Sequence, residues 1–174
     1  LCYYSLTALD RLFSSHGLVI RDVERLPIHG GSLRIFVSHQ AHAKRSAAVE
    51  KLLAEEAAWG VTKIASYRAF AERVQRLKAS LREEVARLRK QGKRVAAYGA
   101  AAKGCTLLNY FDIGHDQIDY VVDRSTHKQG RTMPGVRIPV RAPAALLEDM
   151  PDYVVLLTWN FADEILAQQA EYRR

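Results

Sequence analysis

Apolar positions along this chain change their period twice, and each change marks a different kind of element. From Ser5 to Ser15 the residues Leu6, Leu9, Leu12 and Phe13 recur at helical spacing, with Ser5 placed to cap an amphipathic helix and Gly17 to stop it. Leu18 to Leu26 and Ser32 to His39 then read as two strands joined by Pro27-Ile28-His29-Gly30-Gly31, an antiparallel pair with a Gly-rich connection. A two-stranded hairpin is marginal alone in water, so the pair is expected to belong to a larger sheet. From about Ser46 to Gln91 the pattern is helical again: Ala47 to Trp59 forms one segment, Gly60 breaks it, and Thr62 or Ser66 can start the next. In that longer helix Ile64, Tyr67, Phe70, Val74, Leu77, Leu81, Val85 and Leu88 make one stripe, which predicts a core face lying against the sheet that follows. The helix is expected to end at Gly92, with Lys90 and Lys93 beside its negative end.

From Lys93 onward strand and helix patterns alternate. Strands are expected at Arg94 to Tyr98, Ile118 to Asp123, Val136 to Val140 and Tyr153 to Thr158, and helices near Ala102 to Phe111, Pro143 to Asp149 and Asp163 to Tyr172. Short Val-rich strands alternating with helices predict an α/β fold, a Rossmann-like parallel sheet with helices on both faces, preceded by a helix and an antiparallel hairpin. Three stretches result: 1–40, a helical connector at 41–92, and the Rossmann-like part at 93–174.

Composition narrows the class. In 174 residues, 48% hydrophobic, there is enough apolar material for one core with an appended piece. No run approaches the roughly 18 uninterrupted apolar residues of a membrane span, and LCYYSLTALDRLF has no basic leader ahead of an apolar stretch. Cys2 and Cys105 lie far apart without Cys or His at ligand spacing, so neither a disulfide framework nor a metal site is expected, and a reducing, cytoplasmic setting fits. The formal charge of +7 suggests an anionic partner, and most of the excess sits between Arg73 and Arg94. A solvated helix face accounts for that run; a nucleic-acid surface is the alternative, weakened because no recognised nucleic-acid motif accompanies it.

Candidate chemistry concentrates in Arg94 to Gly104, RVAAYGAAAKG, a strand, a turn of small residues and a helix start. Gly99-x-Ala101-x-x-Gly104 is the dinucleotide fingerprint with Ala in the middle position, and Asp123 lies about 20 residues on, where a ribose-binding acid belongs. Ligands of parallel sheets bind at the carboxyl ends of the strands, which collects Tyr98 to Gly104, Asp123 to Lys128 and Thr158 to Asn160 on one edge. Gly99 and Gly104 can equally serve close strand-to-helix packing. Lys103 tilts the balance to phosphate, because a lysine at a helix N-terminus opposes the helix dipole unless an anion is present. Asp123 can cap a turn instead of holding ribose, and Trp159-Asn160 can be core plus cap instead of a base-binding pair. His29, beside Gly30-Gly31-Ser32, is the histidine singled out for chemistry, with a plain turn role as its alternative.

The chain resembles the C-terminal part of the SAM-dependent sugar C-methyltransferases, which place a methyl branch on nucleotide-linked deoxysugars. The matching segments occur in the family's order: Tyr4 to Gly17, Pro27 to Val37, YGAAAKGCTLLNY (Tyr98 to Tyr110), VDRSTHKQGRTMPG (Val122 to Gly135) and WNFADEI (Trp159 to Ile165). The resemblance implies a parent of three parts: a zinc-binding N-terminal module, a central SAM-binding domain, and a Rossmann-like domain that helps hold the nucleotide sugar. On that view residues 1–40 are the last elements of the methyltransferase sheet, and neither SAM nor zinc is expected within this piece.

The implied reaction starts from a 4-keto sugar nucleotide, where a base removes the proton beside the ketone and the enolate carbon is methylated; such a step needs a base in reach and support for the oxyanion. The family's catalytic stretch would lie just before Leu1, so the isolated chain is expected to be inactive. The substrate-binding set is Tyr98, Gly99, Ala101, Lys103, Gly104, Asp123, Lys128, Trp159 and Asn160, with His29 as the catalytic candidate reaching the sugar. The expected partner is a nucleotide-diphosphate sugar, with no nucleic acid and no membrane. Two positions depart from the family: Ala101, where Pro is usual, and Cys105, where Asn is usual. The family also continues past Arg174 into a further strand. An NAD-binding oxidoreductase domain and a basic nucleic-acid module are the alternatives.

Overall fold

The computed structural model describes residues 3–28, 31–39 and 44–172. The chain divides into two compact units, Leu1–Arg73 and Val74–Arg174.

In the first unit, helix α1 (Leu6–Ser14) starts at Ser5, whose hydroxyl accepts from the Ala8 amide at 3.1 Å. Glu56 completes the cap from a distant part of the chain, accepting the Leu6 and Thr7 amides at 2.7 Å each. An anionic acceptor there suits the positive end of the helix. Strands β1 (Leu18–Leu26) and β2 (Ser32–His39) pair antiparallel from Leu18 opposite His39 to Leu26 opposite Ser32. They form a separate two-stranded sheet among the described residues. Helix α2 (Ala47–Trp59) is capped by Ser46 and ends on Gly60 in the left-handed region at φ 84°. Leu6, Ile20, Val23, Val49 and Leu52 bury together, so α1, the hairpin and α2 share one small core.

Helix α3 (Ile64–Lys90) begins in the first unit and ends in the second. Its expected stripe is core only in the later half: Val85 and Leu88 are buried, and Val74 and Leu81 pack partly. Ile64, Tyr67, Phe70 and Leu77 are exposed instead. Leu88 meets the sheet that follows, as the pattern predicted.

That sheet has four parallel strands in the order β5-β4-β3-β6, built from β3 (Val95–Tyr98), β4 (Val121–Val122), β5 (Val140–Arg141) and β6 (Tyr153–Leu156). On one face Val95, Ala97 and Val121 pack with Leu108 and Phe111 of α4 (Ala102–Phe111) and Leu88 of α3. On the other, Ala96, Tyr98, Tyr120 and Val122 pack with α5 (Ala145–Asp149) and α6 (Ala162–Gln168) through Leu146 and Ile165. The α/β architecture with helices on both faces is therefore as expected, and no helix is long and apolar enough to cross a membrane among the described residues.

All four strands are shorter than the runs expected for them, β4 and β5 by the most. Val136 to Ile138 belong to a turn in which Met133 and Ile138 bond across at 2.8 Å, Gly135 lies at φ 78° and Arg137 at φ 56°. Prolines 134 and 139 lack the amide a ladder needs, so pairing waits until Val140.

Candidate functional site

The strand order places β3 between β4 and β6: the chain steps outward from β3 to β4 and β5, then crosses back to β6 on the other side of β3. That reversal is where open parallel sheets form a crevice at the carboxyl ends of their strands. Gly99 leaves β3 at φ 94°, and its amide donates to Val122 O at 2.7 Å. A Cβ on Gly99 would lie 2.6 Å from both Oγ1 and Cγ2 of Thr158, and one on Gly104 would lie 2.7 Å from Leu157 Cβ. Both glycines are thus required by the close approach of the chain leaving β6.

Ala101 starts α4 with no side-chain cap, and the amides of Ala102, Lys103 and Gly104 have no acceptor among the described residues. These donors and the helix dipole make a positive edge. Lys103 adds to it. Its half-buried ammonium donates to Asn160 Oδ1 and lies 4.3 Å from the centre of the Trp159 ring, with no carboxylate partner. Lys103, Trp159 and Asn160, far apart in sequence, therefore meet at the crevice.

Asp123 follows β4 and is already engaged. Its carboxylate accepts the Ser125 amide at 2.8 Å and the Lys128 ammonium at 3.1 Å, while its carbonyl accepts from Gln129 at 2.9 Å. It caps a turn and remains on the edge. Tyr98, at the end of β3, is buried, with Gln169 beside its hydroxyl. Burial pushes the Tyr98 pKa above the ordinary phenol value, with nearby Arg124 pulling it down more weakly.

Two cavities flank the turn. One of about 410 Å³ has Ala100, Ala101 and Ala102 as a small-residue floor, Met133 and Pro134 as an apolar wall, and His127, Lys128 and Arg131 beside them. The other, about 250 Å³, includes Tyr98, Gly99, Asp123, Arg124 and Thr158. Every substrate-binding candidate thus falls on one edge of the second unit, whereas His29 lies outside the described residues. Arg131 and Glu164 were not singled out from the sequence, although the first lies in the VDRSTHKQGRTMPG segment and the second in WNFADEI.

The model of the C-methyltransferase C-terminal domain matches residues 27–174, which includes the whole edge just described. The chain belongs to that family. Over 172 residues it is 42% identical to the C-methyltransferase NovU of Streptomyces niveus, covering 98% of this chain and 41% of that relative. The chain therefore spans about two-fifths of the curated relative it matches. The family's matched region begins at Pro27, so α1 and all of β1 precede it.

Cys105 sits on the first turn of α4 and lines the larger cavity. Its thiol lies 3.3 Å from Pro134 O, and Asn109 one turn on donates to Cys105 O at 2.9 Å and to Pro134 O at 3.0 Å. Among the described residues no group of three or more His, Cys, Asp or Glu side chains is placed to hold a metal ion.

Proposed function

We propose that this chain is the substrate-binding C-terminal part of a SAM-dependent C-methyltransferase acting on a nucleotide-linked keto-deoxysugar. The observation that carries the reading is Lys103: a half-buried cation without a carboxylate, at the N-terminus of α4 beside three unpaired amides. A diphosphate balances that charge and takes those donors. The larger cavity adjoins the turn through Ala100 to Ala102 and offers an apolar floor for a nucleoside, with Lys128 and Arg131 near its phosphates. Tyr98, Asp123, Trp159 and Asn160 complete the cleft, and the chain's work is to hold and orient the sugar for proton removal beside its ketone.

SAM supplies the methyl group in such a reaction. A set of cations and free amides suits phosphate oxygens and does not select a sulfonium, so this edge is read as a substrate site. The base and the oxyanion support of the enolate step belong to the remainder of the enzyme, with His29 the residue of this chain proposed to reach the sugar.

Titrating the protein with dTDP, a dTDP-sugar, NAD(H) and SAM separately tests the reading. The nucleotide and its sugar conjugate are expected to bind, and Lys103→Gln to weaken both by about tenfold or more, the loss of one charge-assisted contact. Tight NAD(H) binding with no response to dTDP would sink it in favour of an oxidoreductase domain.

A further inference from the structure

Residues 133–137 make a tight turn that gives the larger cavity one wall, through Met133 and Pro134. Met133, 2% exposed, and the fully buried Ile138 anchor this turn in the core of the second unit. Pro134 is exposed, so burial does not hold it. What links it to α4 is Asn109, which does not itself line the cavity.

The Asn109 amide nitrogen donates to Pro134 O at 3.0 Å and, one turn back along its own helix, to Cys105 O at 2.9 Å. It carries two hydrogens, and both are thereby engaged. The bond within the helix fixes the side chain, and the other carries that fixed point to a segment 25 residues along the chain. Gly135 lets the two segments come this close. A Cβ there would run into Asn109 Oδ1 and lie 2.8 Å from Cγ, in a backbone already at φ 78°. Among the described residues one further hydrogen bond joins α4 to the turn, the weak one from the Cys105 thiol to Pro134 O at 3.3 Å.

We propose that Asn109 is a positioning residue for the bound nucleoside: by holding Pro134 to α4 it sets the width of the larger cavity without touching the ligand. The inference rests on the nucleotide-sugar reading above and deepens it, assigning a task to a residue outside the cleft. A base held between the Ala100 to Ala102 floor and the Met133 and Pro134 wall gains from close contact on both sides. A gap of roughly 0.5–1 Å already forfeits about a quarter to a half of each such contact. Asn109 is exposed, so its removal leaves no buried group without a partner, and the effect is expected in binding more than in stability.

Calorimetric titration with dTDP, and displacement of dTDP by inorganic pyrophosphate, read the two halves of the site apart. Asn109→Leu keeps the shape of the side chain and removes its donors; Asn109→Ala removes the link altogether. Both are expected to weaken dTDP binding by about five- to tenfold. The affinity for pyrophosphate, which Lys103 and the amides at the start of α4 hold, is expected to stay unchanged. A general loss of structure weakens both ligands alike, so the split separates positioning from support of the fold. Unchanged dTDP affinity in both variants, equal weakening of the two ligands, or loss of the thermal melt in both overturns the positioning role and leaves the nucleotide reading standing. Failure of dTDP to bind the wild-type protein, or of pyrophosphate to displace it, overturns that reading as well.

Discussion

Gly99 holds its amide on Val122 O and turns the chain through φ 94°, while Thr158 fills the space where a side chain would project. Gly104 meets Leu157 as closely but from a helical backbone. The two positions therefore separate conformational strain from crowding. Gly99→Ala carries both costs and is expected to destabilise the second unit by about 2–4 kcal/mol, against about 1–3 kcal/mol for Gly104→Ala, which carries only the second. Urea unfolding of the two variants checks the order; Gly104→Ala proving the worse would contradict it. The glycines and Lys103 were legible in the sequence because the fingerprint is local. Thr158 and Leu157 as the neighbours that require them were not, since that contact depends on β6 lying beside β3. Asp123 was legible as an edge residue, but its turn-capping bond to Ser125 depends on side-chain placement that spacing alone leaves open.

At the scale of elements, α3 and α4 are tied by charges that read as a solvated face. Lys78 donates to Tyr110 O at 2.7 Å, and Arg82 donates to Phe111 O at 2.8 Å and to Asp112 at 2.9 Å. These carbonyls form the negative end of α4, where they have no partner within the helix. Basic residues four apart on α3 thus cap a neighbouring helix. Arg89 with Asp119 and Lys93 with Asp152 extend the same pattern to the start of the sheet, so part of the positive run is answered within the fold. Arg82→Met is expected to cost roughly 1–2 kcal/mol, since Phe111 O loses a charged donor that water replaces imperfectly. Arg76→Met, a change of the same charge at a residue with no such bond, is the control in a denaturant series. Equal midpoints for the two variants would remove the capping role. The apolar stripe of α3 was legible as a period, but the period does not tell where the sheet ends; only the turns reaching β3 find a surface to cover.

Across the whole molecule, 26 Lys and Arg side chains outnumber 19 Asp and Glu, so the stability of both units depends on carboxylates staying ionised. In the first unit Ser46, and after it the Val23 amide, hold Asp22 below the ordinary carboxylate value. In the second, Arg82 does the same for Asp112, while the Arg94 amide and then Lys93 do so for Asp152. A carboxyl whose folded pKa is depressed takes up its proton more readily once the chain unfolds. Its stabilising contribution is fully present above the unfolded value and is lost as pH falls through the folded one. Urea midpoints are therefore expected to hold between pH 7 and 5 and to fall below about pH 4, where the unfolded carboxyls protonate first. Repulsion among the remaining cations deepens the fall. Asp152→Asn lowers the midpoint at neutral pH by removing the carboxylate charge that bonds Lys93 and the Arg94 amide, and it leaves a shallower acid slope because one such group no longer titrates. A midpoint unchanged from pH 6 to pH 3, or an equally steep slope in Asp152→Asn, would show that these bonds do not set the acid limit.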